Sequence, residues 1–396
     1  MSIKQKINKT FYKEIKLFTI FFIIFNLISL LFIIKILPRN AIVSFLWKSQ
    51  KKLTKDTIDS ERDNLFRKND IKSLITIKNN ESVFLKRIQL SKYIYGESQI
   101  DKYDSLIIKR DINDDKFENL FNLKQIDEIE IPMEFGIKSY AYRFLPIKAN
   151  NKLIIYHQGH SGDFFYGKDS ISYFLSKGYE VIAFSMPLIG TKNSRPTIYI
   201  KNIGFLEIDN HDKLEFLPNN DKSSSLKYFT YPISKVLDHI LKENSYKSVS
   251  MIGISGGGWT TTLLAALDKR INYSFPVAGT LPLFLRTYDF KDSENWTYDL
   301  YKRINYLDLY ILASVGYKNR AHLQILNKFD PCCYAGERYK YYGKKLSSIV
   351  DNLKNGEFDI FVDDSHKSHI ISKETLEKVH KFIIKKENNL LVNKIE

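Results

Sequence analysis

Gly253, Gly256, Gly257 and Gly258 place four of the chain's 17 glycines around one serine, Ser255. A buried-strand pattern, "KSVSMIGIS", leads in, and "GGGWTTTLLAALDKR" follows with the character of a helix. A serine at such a turn stands at the carboxyl end of a strand with its hydroxyl exposed. The turn strains the serine backbone and tolerates only small residues two before and two after it, here Gly253 and Gly257. The helix start adds partial positive charge and free amides beside the hydroxyl. The chemistry is nucleophilic. A serine hydroxyl is weak at its own pKa, so an imidazole must take its proton and a carboxylate must hold that imidazole in one tautomer. A phosphate-cradling loop fits less well, because Trp259 and Thr260 stand where a P-loop needs Lys-Ser/Thr, and GxGxxG spacing is missing.

Four histidines follow Ser255 in the chain. His380 falls inside an amphipathic closing helix and His322 at the wrong end of a strand, both structural positions. His366 and His369 lie in "VDDSHKSHIIS", a loop with no evident structural use for an imidazole. His369 is favoured, since "HIIS" leads directly into a helix with Ser372 as its amino cap and Glu374 in its first turn. His366 is the alternate.

The Gly-x-Ser-x-Gly turn in its strand-to-helix setting resembles the nucleophile elbow of the α/β-hydrolase superfamily, and the resemblance covers about residues 131–396. It implies the order serine, acid, histidine along the chain. Asp330, closing "HLQILNKFD" before Pro331, then fits the acid, with Asp289 as fallback; Asp363 and Asp364 stand too near the histidines in sequence. It also implies an oxyanion hole built from the Gly256 amide and the loop "HQGHSGDF", where Gly159 lets the backbone approach and His160 offers its amide. That loop departs from the HGGG form, which leaves the donating amide open. The activity implied is serine ester hydrolysis through an acyl-enzyme, with no cofactor and no metal. The substrate would be an acylated sugar, a lipid or a small ester.

Short apolar runs alternating with amphipathic stretches position these residues. "KSYAYRFLPI", "KLIIYHQG", "YEVIAFSM", "KSVSMIGIS", "INYSFPVAGT", "HLQILNKFD" and "EFDIFVDD" read as strands, most of them separated by helices. Strands too apolar to alternate, joined through helices, predict a doubly wound, mostly parallel sheet covered on both faces. Two interruptions stand out. Residues 188–225 lack a core pattern, and the aromatic-rich residues 281–318 read as a lid or cap.

The amino end has a different texture. Residues 1–16 form a basic tail, and residues 17–34 hold 18 positions without a charge, extended to 37, which predicts a membrane-spanning helix. Its length and the lack of a small-residue cleavage pattern favour an anchor over a cleaved signal. Lysines flank both ends, so the charge bias is slight; the reading leans to a signal anchor with the large domain on the non-cytoplasmic side. Residues 38–130, charged and with brief apolar bursts, read as a stem or lead-in subdomain.

The net charge of +15 is spread along the chain among acidic residues, without the clustered face or motif of a nucleic-acid binder. Cys332 and Cys333 cannot build a disulfide framework and are expected to pack as small apolar residues. Three rivals remain. A serine peptidase of the same fold would want a large gating domain for which the chain has no room. A metal-dependent hydrolase could use the HxxH pairs His157/His160 and His366/His369 with Asp163. A catalytically silent, membrane-tethered binding module would keep the fold alone.

Overall fold

The computed structural model describes residues 70–96 and 105–392, apart from 202, 219–221, 287–291, 317–319 and 355, together with residues 16, 18–23, 25, 26, 61 and 62. The chain divides into two compact units, Met1–Lys52 and Leu53–Glu396. In the first, the described residues are helical and exposed, Phe18 and Phe21 at 73% and 70%. The rest of the expected spanning segment, 17–37, lies outside the described residues. Among the described residues, no helix is long and apolar enough to cross a membrane.

The second unit carries strands β1 (Ile107–Lys109), β2 (Leu123–Pro132), β3 (Lys138–Pro146), β4 (Lys152–His157), β5 (Glu180–Phe184), β6 (Thr197–Ile200), β7 (Gly204–Glu207), β8 (Ser248–Ile254), β9 (Tyr273–Val277), β10 (Ala321–Asn327) and β11 (Glu357–Asp363). All but β6 and β7 join one sheet in the order β1-β2-β3-β5-β4-β8-β9-β10-β11. From β5 across to β11 every neighbouring pair is parallel, and β1 to β3 add an antiparallel edge. Helices α1 (Asn80–Tyr95), α2 (Lys168–Ser176), α3 (Lys227–Glu243), α4 (Gly256–Leu267), α5 (Tyr306–Ser314), α6 (Gly343–Leu353) and α7 (Lys373–Val392) accompany it. Every residue of β4, β5, β8, β9 and β10 is buried, as strands covered on both faces require. The register brings His157 level with Gly253, and Asn327 level with Asp363, so the loops that follow open at one edge of the sheet.

The sheet begins before residue 131, whose position falls inside β2. The charges of β2 disguise it in the sequence. Glu128, itself buried, pairs with Lys109 of β1, and Glu130 with Lys138 of β3. Residues 70–96 also belong to the second unit. Buried Arg87 of α1 donates to the carbonyls of Ala266, Leu312 and Val315, at 2.9, 2.5 and 2.8 Å, which satisfies oxygens left over at the ends of α4 and α5. Asp308 in the first turn of α5 accepts from the amides of Thr76 and Ile77 at 2.9 and 3.2 Å.

Two expectations change. The second half of region 281–318 is no lid: α5 is buried at every residue, packs on α4, and is the crossover from β9 to β10. Its mostly apolar sequence, broken by the hydrogen-bonded Asp308, reflects that burial. Cys332 and Cys333 do not pack as separate apolar side chains. They are joined by a disulfide in the turn after Asp330, with Cys332 exposed. Residues 188–225 contain a separate hairpin, β6 with β7, and the short helix His211–Leu214.

Candidate active site

Ser255 stands between the last residue of β8 and the first of α4, with φ 56° and ψ −124°. A non-glycine residue in that region costs on the order of 1–3 kcal/mol and persists only where its surroundings impose it. Here they do. The Ser255 amide donates to the Val277 carbonyl at 2.9 Å, and its own carbonyl accepts from Trp259 at 2.9 Å. Close packing explains the flanking glycines. A Cβ on Gly253 would meet the Gly257 carbonyl oxygen at 2.3 Å, and one on Gly257 would meet the His157 carbonyl oxygen at 2.2 Å. Three glycines make a poor helix start, so tertiary packing forms this one. Ser255 is half-buried, and its hydroxyl caps nothing in the helix.

Asp330 and His369 meet, although 39 residues apart. His369 Nδ1 lies 2.7 Å from Asp330 Oδ2. Asp330 Oδ1 accepts from the amides of Cys332 and Cys333, each at 2.8 Å, so the disulfide-bridged turn fixes its carboxylate. Asn327, at the end of β10, donates to Asp330 Oδ2 at 3.3 Å and to the Ile370 carbonyl at 3.0 Å, which ties the acid loop to the histidine loop. Burial pushes the Asp330 carboxyl up, but the His369 and amide hydrogen bonds outweigh it and hold the group below the usual carboxylate value. Being bonded to a carboxylate, Nδ1 carries the ring proton. His369 Nε2 is buried and has no hydrogen-bond partner among the described residues, Ser255 included. In unliganded enzymes such bonds often tighten only when substrate is bound.

The other candidates separate. His366 Nδ1 accepts from the Ser368 amide at 3.1 Å, and its Nε2 lies 3.5 Å from Asp363. Asp363 is a scaffold: it accepts from Ser365 and Thr375 and also from Ser372, whose hydroxyl caps α7 at the Thr375 amide, 3.0 Å away. Asp289 lies outside the described residues. His322 is buried against Ser274, with Tyr310 and Phe358 stacked on it, and His380 receives the Tyr179 hydroxyl. Both are structural. The HxxH pairs do not assemble with Asp163, which holds Ser185 and Thr191 instead. His157 is spent on the Gln158 carbonyl, and burial pushes its pKa down to about 4.

The loop after β4 lies against the elbow as expected. A Cβ on Gly159 would stand 2.7 Å from the Ser255 Cβ and 3.4 Å from the Gly256 nitrogen, so the backbone reaches the serine only because residue 159 is glycine. Beyond it the structure adds a group that the sequence does not announce. Glu294, fully buried, lies 2.7 Å from His160 Nε2 and 3.4 Å from His211 Nδ1. The partners are 134 and 83 positions away in sequence, with no motif spacing to betray them. Trp259 Nε1 bonds the Tyr306 hydroxyl at 3.0 Å, and Arg286 lies between Tyr306 and Tyr334, 4.8 Å from each ring centre, walling the same side.

No family model and no curated protein matches the sequence. Solved structures do match. The acetyl xylan esterase from Paenibacillus sp. R4 aligns with a TM-score of 0.51 at 16% identity, over 78% of this chain and 96% of its own. Acetyl xylan esterase 1 from Thermoanaerobacterium sp. JW/SL YS485 gives 0.52 at 13%, over 78% and 95%. The glucuronoyl esterase from Solibacter usitatus gives 0.53 at 14%, over 80% and 94%. At such identities the likeness is one of fold.

Proposed function

We propose that this chain, an α/β-hydrolase by fold, is a serine hydrolase of carboxylic esters. One observation carries the reading: an imidazole oriented by a buried carboxylate keeps its outer nitrogen unpaired, at the sheet edge where a strained serine sits on a helix start. In this reading Ser255 Oγ attacks the ester carbonyl carbon while His369 Nε2 takes the hydroxyl proton. Asp330 holds the Nδ1–H tautomer and stabilises the imidazolium. The amides of Gly256 and His160 receive the oxyanion, with Gly159 giving the chain its close approach. His369 then returns the proton to the leaving alcohol, and water, activated by the same imidazole, frees the acid. The fold neighbours' names, acetyl xylan and glucuronoyl esterases, support an ester on a carbohydrate as the first class to assay.

The sequence adds a location. Residues 17–37 anchor the enzyme to a membrane, with the hydrolase unit on the non-cytoplasmic side; protease protection in intact cells tests this, and protection of the hydrolase unit refutes it. For the chemistry, a panel of acetyl, butyryl and long-chain esters is assayed with wild type and Ser255→Ala. Loss of turnover by several orders of magnitude with unchanged folding is expected, together with fluorophosphonate labelling that Ser255→Ala abolishes. Full activity in the variant would end the reading.

A further inference from the structure

We infer that the His160 side chain is itself a catalytic group, an imidazolium that offers Nδ1–H to the developing oxyanion, and that Glu294 is the positioning residue that keeps it charged. This rests on the ester-hydrolase reading and adds to it a charged donor beyond the two backbone amides.

The ring is where such a donor must be. Its Cε1–Nδ1 edge occupies the space that a side chain on the residue after the nucleophile would fill. A Cβ built on Gly256 would lie 2.5 Å from His160 Cε1 and 2.6 Å from Nδ1. Glycine at 256 therefore admits an imidazole beside the amide that begins the oxyanion hole. Nε2 is committed to Glu294, 2.7 Å away, while Nδ1 makes no hydrogen bond among the described residues. That asymmetry decides the sign of the effect. A neutral ring bonded through Nε2–H would present a lone pair at Nδ1 and repel an oxyanion. A protonated ring presents an N–H and a positive charge. Preorganised donors of this kind are worth about 10²–10³ in kcat each.

The groups around the ring favour the charged form. Burial alone would push the His160 pKa down, but the Glu294 hydrogen bond and charge, with Asp292 at 3.9 Å, raise it to about 9. His211 faces the ring at 5.2 Å between centres, and the charge of His160 also acts on His157 at the end of β4. Glu215 and Arg286 act on the carboxylates of Glu294 and Asp292. Among the described residues, the ion pairs of Glu294 are with His160 and His211. Burial would raise its pKa, yet the charges of His211 and His160 hold it far below the usual carboxylate range.

The test compares wild type, His160→Gln and Glu294→Gln on p-nitrophenyl acetate from pH 5 to 10, with folding checked by circular dichroism. In wild type, kcat should fall with an apparent pKa near 9. Glu294→Gln should move that fall down by more than one pH unit. His160→Gln should lower kcat about 100-fold at pH 7 with KM within about threefold, and should abolish the alkaline fall. Fluorophosphonate labelling of Ser255 should persist in both variants. An unchanged alkaline limb in Glu294→Gln, or wild-type kcat in His160→Gln, overturns the inference while leaving the esterase reading in place. Activity lost to EDTA and restored by zinc also overturns it, since His160, His211 and Glu294 offer ligand atoms within 4.8 Å of one another. Imidazole NMR of wild type decides the charge without turnover: a neutral His160 at pH 7 overturns the inference, and an imidazolium that Glu294→Gln neutralises upholds it.

Discussion

Two carboxylate–imidazole pairs, Asp330 with His369 and Glu294 with His160, each have a nitrogen–oxygen distance of 2.7 Å, and they differ in what else the carboxylate touches. Asp330 has two backbone amides and Asn327 besides its histidine, so its charge is shared among several donors. Glu294 is buried against two imidazoles, and among the described residues its Oε2, 3.4 Å from His211 Nδ1, has no hydrogen-bond partner. An isolated buried carboxylate is very costly, so the neighbouring ring must carry the compensating charge. In the proposed mechanism the same two functional groups thus serve as a proton shuttle in one pair and as a fixed cation in the other. The number of hydrogen bonds to the carboxylate sets the difference.

Removing the acid breaks that comparison most sharply. Asp330→Asn keeps the shape but offers His369 a donor or a neutral acceptor in place of the carboxylate, and kcat should fall by about 10⁴. Glu294→Gln should cost far less at pH 6, where His160 keeps its proton more readily, and more at pH 8. If the two variants lose activity equally at every pH, the pairs have the same role and the contrast fails. Steady-state kcat across pH is the measurement.

Next in size is Gly256→Ala. The new methyl would meet the His160 ring at 2.5 Å and the Met186 Cε at 2.8 Å. The ring must turn away, so kcat should drop about 10- to 100-fold. In His160→Gln the same change should cost much less, because the two share one interaction. Additive losses would place the effect of residue 256 in the helix start instead.

The two pairs were also unequally legible in the sequence. Asp330 and His369 lie in the loops that follow β10 and β11, and the apolar runs of those strands mark the loops out in the sequence; so too with the glycines that crowd Ser255 after β8. Glu294 sits in an aromatic-rich stretch with no period, and His211 in a polar excursion, so nothing local links either to His160. The lid expectation failed at α5 for a related physical reason. A helix buried on every side, such as "YLDLYILAS", carries no amphipathic stripe to distinguish a crossover from a cover. Strand β2, paired on both sides by β1 and β3, was hidden in the opposite way, by charges that its neighbours pair.

A third effect is thermodynamic. His160 has its pKa raised from an ordinary 6.5 to about 9 on folding. The folded state therefore binds the proton more tightly than the unfolded one, and the stabilisation is fully present below pH 6.5 and lost as pH rises through 9. Its size is on the order of 3 kcal/mol. Wild-type melting temperature should decline across that window, and Glu294→Gln should flatten the decline even if the variant starts less stable. A parallel decline in both proteins would mean that the charge on His160 does not depend on Glu294.

The smallest effect probes the frame of the proton shuttle. Ser372 caps α7 at the Thr375 amide, 3.0 Å away, and its hydroxyl also donates to Asp363, which shapes the loop that carries His369. Ser372→Ala removes one cap bond and leaves one donor fewer on Asp363, for a loss of about 1 kcal/mol. The loop retains its tie through Asn327 to the Ile370 carbonyl, so His369 should stay near Asp330 and kcat should fall no more than a few-fold. A denaturant midpoint lowered without a change in m-value would show the cap contribution alone. A kcat loss approaching that of Asp330→Asn would mean instead that the helix cap, and not the tie from β10, holds the imidazole in place.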